Sequence, residues 1–137
     1  MRVSSFALVA AALMALTGMG LGMYMAIAED FTLAPAHAHL NLLGWVTVAL
    51  YGLYHRGVAR ACNRLAWIQT GAGALGAPTM AGGLGVYLAT GNGALVPVIF
   101  LGALLSITAM ALFIVQVVLD LRQGTPHPAV GAALPAE

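Results

Sequence analysis

The sequence predicts an all-α integral membrane protein, a four-helix bundle with both termini in the cytoplasm. Three observations predict it: an apolar composition, four long apolar runs, and arginines that fall on one side of a four-span arrangement. Of 137 residues, 61% are hydrophobic and 7% charged, with mean hydropathy +0.95. A soluble domain is nearer half apolar and a quarter charged. So few polar groups cannot cover a water-facing surface, which excludes an ordinary cytosolic domain and a disordered chain. Cys62 is the single cysteine, so the chain is no disulfide scaffold. Five arginines, no lysine and a net charge of +1 cannot neutralise a run of phosphates, so nucleic acid is excluded as a partner.

The first run, Val3 to Ala28, follows Arg2. It is longer than the 7–15-residue core of a signal peptide, which argues for a retained helix. The second run, from about Ala36 to Tyr54, is the shortest. The third, Leu65 to Thr90, carries Gly71, Gly73, Gly76, Gly82, Gly83 and Gly85. Small residues let helices approach closely in lipid, so it should pack tightly, and Pro78 should kink it. The fourth, Ala94 to Leu119, holds Pro97 in its first turn, where proline is tolerated. Spanning hydrocarbon takes about 20 helical residues. In lipid only helices and closed barrels satisfy the backbone, and these runs are too long and continuous for barrel strands.

Arg2, Arg56, Arg60, Arg64 and Arg122 all fall at one end of four alternating spans, with Glu29 and Asp30 at the other. Basic residues concentrate on the cytoplasmic side. The expected location is therefore the cell's inner membrane, crossed several times. Residues 1–123 form the transmembrane domain. Residues 124–137, rich in Pro, Ala and Gly, form an irregular tail, and His127 between two prolines belongs to it.

The informative stretch is His37-Ala-His-Leu-Asn-Leu-Leu-Gly-Trp45. Ionisable groups at membrane depth are costly and face the bundle interior or a cavity. A neutral imidazole is also a good metal ligand. Two residues apart on a helix, His37 and His39 point about 200° away from one another, so they address different sites. A helical wheel places His37, Asn41, Gly44, Val48, Tyr51 and His55 on one partly polar face. His39 heads an apolar face with Leu43, Val46 and Leu50. That face would suit a flat apolar ligand with one imidazole above its metal. The alternative places both rings at the headgroup level, near Glu29 and Asp30. His55, beside Arg56, is expected at the opposite interface. Met14, Met19, Met23 and Met25 read as apolar filler.

This stretch resembles the haem-ligand helix of the catalytic subunit of haem–copper oxidases and nitric-oxide reductases, closest to the cbb3 type. The resemblance implies a haem b (iron) cofactor, with His39 binding a low-spin haem and His37 directed to an active-site haem. Asn41, Gly44 and Trp45 would complete the cofactor-binding set. The family's subunit has about twelve helices against four here, and helices one, three and four hold no histidine. The second axial ligand is therefore expected from another copy, which implies a homodimer or higher homo-oligomer. The implied role is electron transfer with a redox partner, or binding of a diatomic gas. No catalytic residue is assigned. Two alternatives stand beside it. One is a copper or zinc site built from His37, His39, Glu29 and Asp30. The other is a non-catalytic structural or assembly subunit.

Overall fold

The computed structural model describes residues 2–57 and 64–122, and among them the fold is four helical rods. Helix α1 is Val3–Ala28. The second rod, α2, is continuous but has three parts. These are an α-helical Ala34–His39, a π-helical Leu40–Thr47 and an α-helical Val48–Gly57. Helix α3 is Arg64–Thr90. After a 3-10 turn at Gly93–Leu95, α4 runs over Val96–Arg122. Cys62, Arg60, His127 and the tail 124–137 lie outside the described residues.

Sequential rods are antiparallel, and glycines set their spacing. A Cβ on Gly52 of α2 would meet Ala7 and Leu8 of α1, while one on Gly22 of α1 would meet His37 of α2. Between α3 and α4 the approach is closer. A Cβ on Gly76 would lie 2.8 Å from the backbone nitrogen of Ser106, and one on Gly102 would strike the backbone of Met80. That contact needs glycine on both sides, because neither obstacle is a side chain that can turn away. Helix α3 runs through Pro78 without a break.

The core is small-residue packing around Tyr51: Ala7, Ala11, Met14, Leu40, Val48, Ala74, Ala77, Ala81 and Ala109. Helix α4 buries only Gly102, Ala109 and Gln116, a single stripe at seven-residue spacing. Its other faces are apolar and exposed, with Phe100, Leu104 and Leu121 each more than 60% accessible. Val3–Ala28 and Gly93–Arg122 are long and apolar enough to cross a membrane. The rod α2 is divided, and glycines lower the hydropathy of α3.

The π-helical segment changes the predicted wheel. An i→i+5 ladder takes more than 3.6 residues per turn, so positions after it lag the ideal α-helical angle. Thr47 Oγ1 donates to the Leu42 carbonyl five residues back, at 2.7 Å. His37 and His55, predicted on one face, therefore meet different neighbours: His37 packs on α1 and His55 on Gln69 of α3.

Candidate functional site

The start of α2 is fixed from both sides. Helix α1 ends on Glu29 in the left-handed region (φ 52°), whose N–H bonds the Met25 carbonyl. Asp30 Oδ1 then accepts from Thr32 N at 2.9 Å and from Thr32 Oγ1 at 2.6 Å. The Thr32 hydroxyl, followed by its N–H, holds the Asp30 carboxyl below the usual carboxylate range. Pro35 sits in the first turn of α2, where its missing N–H is not needed.

His39 is oriented by that turn. Its Nδ1 lies 2.7 Å from the Pro35 carbonyl oxygen. A carbonyl only accepts, so Nδ1 carries the hydrogen and the Nε2 lone pair is left free in the neutral ring. A backbone carbonyl holding Nδ1–H is the usual way a ligating imidazole is presented. His39 lines an open apolar groove of about 340 Å³ with Ala38, Leu42 and Leu43 of α2, Met80 of α3, and Ala103 and Ile107 of α4. Small-molecule sites run from about 300 to 1,000 Å³.

His37 faces elsewhere. Its Cε1 would sit 3.0 Å from a Cβ on Gly22. Asn41 Nδ2 donates to the His37 carbonyl at 2.9 Å and lies 3.3 and 3.4 Å from the two ring nitrogens, so neither lone pair is singled out. The Asn41 amide fills the space left by Gly18, and Met14 Sδ fills that beside Gly44. Trp45 is 46% exposed and does not line the groove.

The five predicted residues thus divide. His39 faces α3 and α4, His37, Asn41 and Gly44 pack on α1, and Trp45 lies on the outer surface. Two imidazoles on opposite faces agree with the spacing argument, whereas one shared cofactor shell does not form. Among the described residues no three His, Cys, Asp or Glu side chains converge on a metal-sized point. Sequence reasoning missed Met80. Its thioether is the second ligand-type side chain of the groove, and nothing in its local sequence separates it from apolar filler.

His55 lies in the last turn of α2 beside Arg56 and is buried between helices, its Nε2 2.9 Å from Gln69 Oε1. Beside it, Tyr54 donates to Asp120 Oδ2 at 2.7 Å and joins α2 to the end of α4.

No family model, curated protein or solved structure matches this chain.

Proposed function

We propose that the chain is a four-span integral protein of the cytoplasmic membrane, with both termini inside, that binds haem b against His39 and serves electron transfer or diatomic-gas binding. The observation that carries the cofactor is His39. Its Nδ1–H is held by the Pro35 carbonyl, its Nε2 is free, and the groove beside it is otherwise apolar apart from the Met80 thioether. An imidazole fixed in this tautomer, with apolar walls, fits the donor set and the water exclusion that a porphyrin requires. The span assignment is supported by the exposed apolar side chains and the one-sided arginines.

Within this reading, α2 presents the imidazole and Pro35 fixes its tautomer. Leu42, Leu43, Ala103 and Ile107 keep water from the same space. Haem bound there would supply reversible one-electron chemistry or an open coordination position for a diatomic gas. The groove is open on one side, so a second copy of the chain completes its wall, in a homodimer or higher homo-oligomer, and brings a second His39. Met80 supports a second reading: its thioether, from the same chain, would supply the second ligand to the iron. His37, on the α1 side, takes no part in holding the groove's occupant.

The test is the optical spectrum of purified protein, oxidised, reduced and carbon-monoxide-treated. A Soret band that disappears in His39→Ala and persists in His37→Ala supports the assignment. A colourless protein, or a His39→Ala variant with unchanged absorbance, refutes it. Met80→Leu separates the two readings of the second ligand. A low-spin spectrum turning high-spin in that variant marks the thioether. An unchanged low-spin spectrum marks the second copy's imidazole.

A further inference from the structure

The arginine-bearing end of the bundle holds an aromatic contact that the haem reading does not use. Helices α1 and α3 both begin there and run parallel. Phe6 and Trp67 stand in the first turns of these helices, and their rings meet with centroids 5.6 Å apart, tilted by 41°. Arg2 precedes Phe6 by one turn, its carbonyl accepting the Phe6 N–H at 3.1 Å, and Arg64 precedes Trp67 by three residues. Residues three or four apart are neighbours on a helix face. The ring contact sets the two helix starts side by side, so Arg2 and Arg64 stand at neighbouring ends, each one turn nearer the water than its ring.

Both arginines are exposed, and among the described residues no ion pair engages either. No acidic side chain stands in the first turn of α1 or α3. Asp120, an acid of this end, already accepts from the Tyr54 hydroxyl, and Glu29 and Asp30 lie at the opposite end. Trp67 is 37% exposed, and its indole N–H has no hydrogen-bond partner among the described residues. Tryptophan gathers at membrane–water boundaries, its rings at the level of the headgroups.

We propose that Arg2, Arg64 and Trp67 bind the headgroup of one anionic phospholipid in the cytoplasmic leaflet. Guanidinium groups present paired N–H donors to phosphate oxygens, and two of them balance the diester's charge. The indole N–H donates to the ester oxygens just below. What selects a lipid over a free anion is the apolar strip under the arginines. On α1, Val9 and Leu13 follow Phe6 at i+3 and i+7 and are 58% and 60% exposed. On α3, a Cβ on Gly71, one turn beyond Trp67, would meet nothing within 4 Å, so an acyl chain can lie against the backbone there. This inference rests on the span reading, which sets the arginines among headgroups, and not on haem.

The experiment reconstitutes the full chain in dioleoylphosphatidylcholine vesicles with a minor share of dioleoylphosphatidylglycerol, one lipid or the other brominated to quench tryptophan on contact. Trp45→Phe leaves Trp67 as the sole reporter. Quenching should show a preference for phosphatidylglycerol of about fivefold or more, since one arginine at an anionic surface is worth about that factor. Trp67→Phe, with Trp45 reporting, should show none; this comparison keeps every arginine and stands even where an arginine variant fails to insert. Arg2→Gln with Arg64→Gln should remove the preference at Trp67. Arg56→Gln with Arg122→Gln, which takes equal charge from the same end, should leave it in place. Equal quenching of Trp67 by the two lipids, the same preference at Trp45, or equal loss in both arginine pairs would overturn the site. So would a preference abolished by inorganic phosphate, which would assign the arginines to a free anion. Release of the chain from the vesicles by alkaline carbonate would overturn the span reading and this site together.

Discussion

Replacing Gly102 by alanine should separate helices that the structure holds at glycine distance. A Cβ there would lie 2.7 Å from Met80 Cα and 2.8 Å from the Gly76 carbonyl oxygen. Both obstacles are backbone, so no rotamer change relieves the clash and α3 must move away from α4. Overpacking of this kind costs about 1–3 kcal/mol. Each 1.4 kcal/mol is about tenfold, so the folded-to-unfolded ratio should fall between about 5-fold and 150-fold. Gly20 is the internal control. Nothing lies within 4 Å of a Cβ built there, and alanine gains about 1 kcal/mol of helix propensity over glycine. The assay is denaturant unfolding in detergent, followed by circular dichroism. Gly102→Ala should be less stable than the parent and Gly20→Ala at least as stable. Because Met80 and Ala103 flank this crossing and line the groove, Gly102→Ala should also bind less haem. A Gly102→Ala protein as stable as the parent would refute the close approach of α3 and α4.

Other predictions follow from single contacts. Tyr54→Phe removes the hydroxyl that donates to Asp120, so unfolding in detergent should show a loss of about 1.5–3 kcal/mol, the range for bonds to charged groups; an unaltered midpoint contradicts the bond. Trp45→Ala should leave haem absorbance unchanged, since its ring lies outside the groove; loss of the Soret band would place Trp45 in the site. The Thr32 hydroxyl and N–H hold the folded Asp30 carboxyl below the ordinary aspartate range, so its contribution to the turn is present above the unfolded value and lost as pH falls through the folded one. NMR should show the Thr32 amide ordered at pH values where a free aspartate is already protonating, and Thr32→Val should return Asp30 toward its ordinary value.

The sequence made the rods legible because their ends are marked chemically. Helix α1 fills the apolar run between Arg2 and Glu29, and α3 ends at Thr90 ahead of Gly91 in the left-handed region. It could not show the π-helical stretch, because a slip in the backbone ladder across Leu40–Thr47 leaves no signature in residue type. The wheel that joined His37 to His55 failed for that reason. The opposed directions of His37 and His39 were legible, because only one intervening residue separates them and the slip begins after both. The buried pairing of His55 with Gln69 was not. Gln69 and Gln116 look scattered along the chain, and only the antiparallel packing of α2, α3 and α4 buries them at one end. Met80 likewise acquires meaning only where three helices meet.

The most direct measurement is haem content per chain in the parent protein and in His39→Ala, both purified after expression with adequate haem supply. The account predicts stoichiometric haem b in the parent and near-total loss in the variant, with the helical circular dichroism of the two unchanged. Equal haem in both, or none in a folded parent, would contradict the assignment of the His39 groove as the cofactor site.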